Sequence, residues 1–95
     1  MEELNKKIAE WVGITDRVPQ FTHKIGLCFK YIVPKLRELE FAFNLWDGVG
    51  FGNKWLCSAL LTHRTWRHYD ADAETPALAL CLTVEKLINS ETNGN

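Results

Sequence analysis

The residues best suited to chemistry fall between positions 46 and 74. His63, Arg64, Arg67 and His68 form the one dense cationic cluster in the sequence, interleaved with Trp66 and Tyr69. Guanidinium planes beside aromatic faces suit a planar anionic ligand, its ring stacked and its phosphate held by parallel N–H bonds. The plainer alternative is a solvated strand edge that charge protects from aggregation. His63 and His68 stand five positions apart, so on a strand they face opposite sides and share no metal ion. Gly48, Gly50 and Gly52 invite a phosphate-cradling nest of backbone N–H groups. The dinucleotide fingerprint, however, needs a helix after the glycines, and here a second strand pattern follows, so a flexible hairpin loop competes with that reading. Trp46, Trp55 and Trp66 could line a pocket beneath Phe51, or serve only as core.

Other chemistries find less support. Asp70, Asp72 and Glu74 are explained by capping of the helix that follows, and no partner at a spacing suited to acid–base work accompanies them. Cys28, Cys57 and Cys81 sit in apolar runs 29 and 24 residues apart, without a Cys-x-x-Cys pair, and read as small buried hydrophobes. No nucleophile elbow, P-loop or zinc signature is present. An enzyme is therefore not expected, and neither is a cofactor or a metal. Eleven Lys and Arg against twelve Asp and Glu give a net charge of -1, which removes the electrostatic case for nucleic acid or an anionic membrane. The uncharged runs are too short for a membrane span, and the polar N-terminus does not read as a signal peptide.

These groups need elements to position them, and 95 residues make room for one domain with a thin core. Leu4, Ile8, Trp11 and Val12 recur on one helical face, and Gly13 is a natural stop, which predicts a helix over 2–12. Phe21, Ile25, Cys28, Phe29, Ile32, Leu36 and Leu39 predict a second helix, starting near Pro19–Thr22 and running to Glu38, with a kink or break at Pro34. From Glu40 the period becomes two. A strand over 41–46, a glycine-spaced loop over 47–53 and a strand over 54–62 make a hairpin. A short third strand is expected over 65–69, with His63-Arg64 as its turn. Thr75 as N-cap and Pro76 at N1 open a last helix whose inner face is Leu80, Cys81, Val84, Leu87 and Ile88, with Ala77 permitting close approach to a sheet. The domain is expected to end near residue 90, with a frayed polar tail over 91–95. The fold class is α+β: two N-terminal helices, an antiparallel sheet of two or three strands and a C-terminal helix. Because both sheet faces carry apolar residues, the expected form is a small α-β-α sandwich.

The stretch Tyr69-Asp70-Ala71-Asp72-Ala73-Glu74-Thr75-Pro76-Ala77-Leu78-Ala79-Leu80-Cys81 resembles the C-terminal signature of small phage and prophage proteins, the phage ABA sandwich family. Lys7-Ile8-Ala9-Glu10-Trp11-Val12-Gly13 agrees with it, as does the stretch from Phe21-Thr22-His23-Lys24 through Cys28-Phe29-Lys30-Tyr31-Ile32-Val33-Pro34-Lys35-Leu36. The resemblance implies a fold and a phage origin, hence the cytoplasm of a bacterial host, and it carries over no catalytic residue. The combined expectation is a non-enzymatic binding protein. Its sharpest form is a sponge for a nucleotide-derived signal of host immunity, with Trp46, Trp55, His63, Arg64, Trp66, Arg67 and Tyr69 as ligand contacts. Homo-oligomerisation fits such a role, since a small domain encloses a ligand poorly alone. The alternative is an interaction or assembly module that docks a host or phage protein.

Overall fold

The computed structural model describes the backbone of residues 2–51 and 54–92 and the side chains of 2–46 and 56–91. Its order is α1 (Glu2–Val12), α2 (Ile25–Leu27), a π-helical turn (Cys28–Ile32), α3 (Val33–Glu38), β1 (Phe41–Phe51), β2 (Lys54–His63), β3 (His68–Ala73) and α4 (Pro76–Thr92). This is the expected α+β class, with helices at both ends of the chain and one antiparallel sheet in the order β1-β2-β3.

The first helix ends as its sequence dictates. Gly13 takes φ +90°, its amide donates to the Glu10 carbonyl at 3.2 Å, and the Ile14 amide donates to Ala9 at 2.8 Å. That pair of bonds is the Schellman stop, which favours glycine because its left-handed backbone carries no Cβ penalty. Leu4 and Ile8 are buried, and so is the polar Asn5. Its Oδ1 accepts the Thr22 amide at 2.9 Å. This bond also explains a displaced boundary. Thr22 belongs to a turn pinned to α1 rather than capping the second helix, which starts at Ile25.

At Pro34 that helix does not stop but changes type, from a π turn to α3. The three segments from Ile25 to Glu38 follow one another directly, and the Val33 amide donates to Cys28, five residues back. A π turn just ahead of a proline widens the helix where the ring would otherwise strike the carbonyl four residues earlier. Cys28, Ile32 and Leu36 keep the buried stripe, whereas Phe29 is 48% exposed and leans on Phe43.

The sheet departs most from expectation. β1 does not turn at Asp47 but continues through Gly48 and Gly50 to Phe51, which pairs with Lys54. Between the pairs Trp46↔Ser58 and Val49↔Leu56, β1 advances one residue more than β2. Glycine admits the irregular backbone of such a bulge. The glycine-spaced segment is therefore largely strand rather than a nest, and Gly52 lies outside the described residues. The third strand occupies His68–Ala73 instead of 65–69, pairing Thr62↔His68 through Cys57↔Ala73. Asp70 and Asp72 thus alternate outward on a strand instead of capping a helix. The period of two formed by Tyr69, Ala71 and Ala73 decides their place.

Buried Cys57, Ala59 and Leu61 on β2 meet α4, whose Ala77, Ala79, Leu80, Cys81, Val84 and Leu87 are also buried. α1 lies across the far side of α4, tied by Lys7 to Glu85 at 3.3 Å and to Asn89 at 3.2 Å. α3 packs on β1. The layering is simpler than cover on both sides: the described helices gather on the Phe41–Cys57–Ala73 face. The opposite face carries exposed Ala42, Asn44, Trp46, His68, Asp70 and Asp72. α4 extends past residue 90 to Thr92, anchored where the Tyr69 hydroxyl bonds Ser90 at 3.1 Å.

Thr75 caps α4 as its sequence foretells, its Oγ1 accepting the Leu78 amide at 3.2 Å. Thr75→Ala is expected to lower unfolding free energy by about 1 kcal/mol, the usual worth of an N-cap oxygen. Urea melts should show a lower midpoint at unchanged slope; an unchanged midpoint would mean that the cap contributes nothing.

Candidate functional site

The sheet register brings two chain reversals together at one corner. The pairs Phe41↔His63 and Ala42↔Thr62 close the β1–β2 ladder, so the α3–β1 junction sits beside the β2–β3 turn. That turn is a three-residue loop: the Trp66 amide donates to the His63 carbonyl at 2.9 Å, and the His63 amide donates to Arg67 at 2.8 Å. A type I turn closed by a left-handed residue gives this pattern, and glycine ordinarily takes the left-handed place. Here it is Trp66, with φ +69°. The His63 ring is held from within the turn, its Nδ1 accepting the Thr65 amide at 3.2 Å and lying 2.7 Å from Thr65 Oγ1.

At the other reversal α3 ends without a glycine. Leu39 and Glu40 donate their amides to Lys35 at 3.1 Å and to Arg37 at 3.0 Å, and Glu40 adopts φ +66°. Glu40 and Trp66 are the only non-glycine residues with positive φ among the described residues. Both line one cavity of about 310 Å³, together with Ala42, Thr62, His63 and Arg64. Across it Arg64 Nε donates to Glu40 Oε2.

Energetics argue that this corner is not arranged for stability. A left-handed backbone costs an L-residue about 1–2 kcal/mol, whereas an ion pair between groups this exposed is worth about 0–1 kcal/mol. Trp66 is 86% exposed and regains little by packing. Strain held in this way, with a large apolar ring turned to solvent, makes this corner the candidate site.

The other expected contacts distribute unevenly. His63, Arg64 and Trp66 share the cavity. Arg67 turns away and sits over the Phe41 ring at 5.8 Å. Tyr69 packs near the same ring, at 6.2 Å, while its hydroxyl bonds Ser90. Phe41 also meets His63 at 4.9 Å, so Arg67 and Tyr69 buttress the corner from the core side. Trp46 is 46% exposed on the open sheet face. It lies four residues from Ala42, about 14 Å along an extended strand, and does not line the cavity. Trp55 lies on β2 opposite Gly50, and its side chain falls outside the described residues. The expected pocket of three tryptophans is thus not assembled at this corner.

Glu40, Ala42 and Thr62 escaped sequence reasoning. The one available signal is a helix ending at Glu38 with no glycine before the strand, leaving Glu40 to turn the chain.

Elsewhere chemistry is sparse. A cavity of about 380 Å³ beside α1 is lined partly by Lys6, Glu10, Asp16 and Arg17. Arg17 already bonds Asp16 and the Tyr31 hydroxyl, and no aromatic ring lines that cavity. The three cysteines are buried, and none of them is joined in a disulfide. Cys28 and Cys81 approach to 3.9 Å; the hydrogen bond with Cys28, then burial, pushes the Cys81 thiol far above its usual range. No group of His, Cys, Asp and Glu among the described residues could hold a metal ion. Comparison with protein-family models, curated proteins and solved structures finds no match to the chain.

If Trp66 is kept for its ring rather than for the turn, replacing it should stabilise the fold. Trp66→Asn, which tolerates the left-handed region, is expected to raise unfolding free energy by about 1 kcal/mol. Chemical denaturation measures this, and a clear loss of stability would show that the indole supports the fold.

Proposed function

We propose that the protein is a non-enzymatic binding protein whose β2–β3 corner holds a planar anionic small molecule of the nucleotide class. Trp66 supplies the stacking face and Arg64 the phosphate contact, while Thr62 and His63 wall the cavity. The observation that carries the reading is the indole of Trp66, 86% exposed on a left-handed backbone beside a guanidinium. In the phage setting that the sequence resemblance implies, such a protein acts by sequestration, as a sponge for a nucleotide-derived immune signal in the cytoplasm of a bacterial host. A cavity of about 310 Å³ lies at the small end of ligand pockets. A second copy of the chain is therefore proposed to complete its walls.

A protein-docking role is the second reading, favoured by one specific observation. Phe29 and Trp46 are each about half exposed, and β1 ends the sheet with no strand on its far side among the described residues. An open strand edge with an exposed ring on either side of the sheet suits a protein partner.

Isothermal calorimetry with a panel of cyclic and adenine-derived nucleotides separates the two. Binding by the native protein, weakened at least tenfold in both Trp66→Ala and Arg64→Ala, is the expected result. Absence of binding across the panel, together with stoichiometric recovery of a protein from infected cells, would favour the docking role instead.

A further inference from the structure

We infer that Glu40 is a tethered occupant of the anion subsite, so that ligand enters this corner by displacing the Glu40 carboxylate from Arg64. The inference rests on the binding role proposed above and specifies its ligand as a phosphate monoester carried on a planar ring. Arg64 sits on the β2–β3 turn and Glu40 at the α3–β1 junction, 24 residues apart in sequence, and their contact spans the cavity lined by Trp66 and Thr62. The strained backbone at Glu40 is not repaid by so exposed a contact. A carboxylate placed there satisfies the guanidinium while the site waits for ligand.

Displacement selects for charge. The contact with Glu40 is made through Nε, a single-point arrangement. A phosphate can take the two-bond fork that arginine favours and brings up to two negative charges, so it competes where another lone carboxylate gains nothing. The uncharged nucleoside has nothing to exchange for Glu40 and can only stack on Trp66. Glu40 is thus a specificity-determining residue for the proposed ligand class.

The test compares adenosine 5′-monophosphate with adenosine by calorimetry on the full chain, in native protein, Glu40→Gln and Glu38→Gln. Glu38 is exposed two residues away and controls for the general loss of one negative charge. Monophosphate binding should tighten about fivefold or more in Glu40→Gln and change less than twofold in Glu38→Gln, with adenosine unaffected by either change. Equal affinities in all three proteins, or equal tightening in both variants, would overturn the displacement and leave the binding role standing. Failure of native protein and Glu40→Gln alike to bind the monophosphate would overturn the inference, and the binding role with it if the cyclic and adenine-derived panel fails as well. Circular dichroism melts of the variants establish that each is folded before titration.

Discussion

The packing of α4 on β2 is the contact on which the rest of the molecule depends. β2 is the central strand and turns Cys57, Ala59 and Leu61 toward the helix. Two of those side chains are small, so the helix can approach closely and bring its buried Leu80, Val84 and Leu87 into the same core. Truncating one such leucine to alanine ordinarily costs about 2–5 kcal/mol, a large part of the stability of a domain this size. α1 is laid over α4, and the π turn meets α4 through Cys28 and Cys81. With helices on a single face, the other face of the sheet is left to solvent.

One-sided burial also shapes the corner. The register that seats Phe41 and Leu61 in the core sets Phe41 against His63. Little chain is then left for either reversal: one residue between Leu39 and Phe41, and three between His63 and Arg67. Each reversal is closed by a left-handed residue, and in neither is it glycine. The core therefore fixes where the turns occur, while Glu40, Arg64 and Trp66 are the residues to which the proposed binding role assigns the chemistry. A pocket positioned by a rigid ladder, with its chemistry on the turns, is a common division of labour between scaffold and site.

Much of the fold was legible because the periods were long and the punctuation clear. α1 with its glycine stop and α4 with its Thr-Pro opening are written locally. So is the change to a period of two after Glu40. The misplacements share a cause. Gly48 and Gly50 suggest a loop because glycine disfavours strands, but pairing with β2 overrides that preference. Asp70 and Asp72 resembled helix caps, yet the alternation around Tyr69 and Ala71 belongs to a strand. Cover on both sheet faces was inferred from apolar residues on both, although Ala42 and Trp46 remain exposed. At the site, the chemical types were visible in His63, Arg64 and Trp66. The part played by Glu40 was not, since it depends on a contact 24 residues away.

The most direct measurement of the central claim is the two-dimensional amide and indole NMR spectrum, recorded as adenosine 5′-monophosphate is added. The account predicts shifts confined to residues 40–42 and 62–67 and to the Trp66 indole N–H, with α1 and α4 unmoved. Shifts centred on α1 or along the far end of β1, or none at saturating ligand, would contradict it.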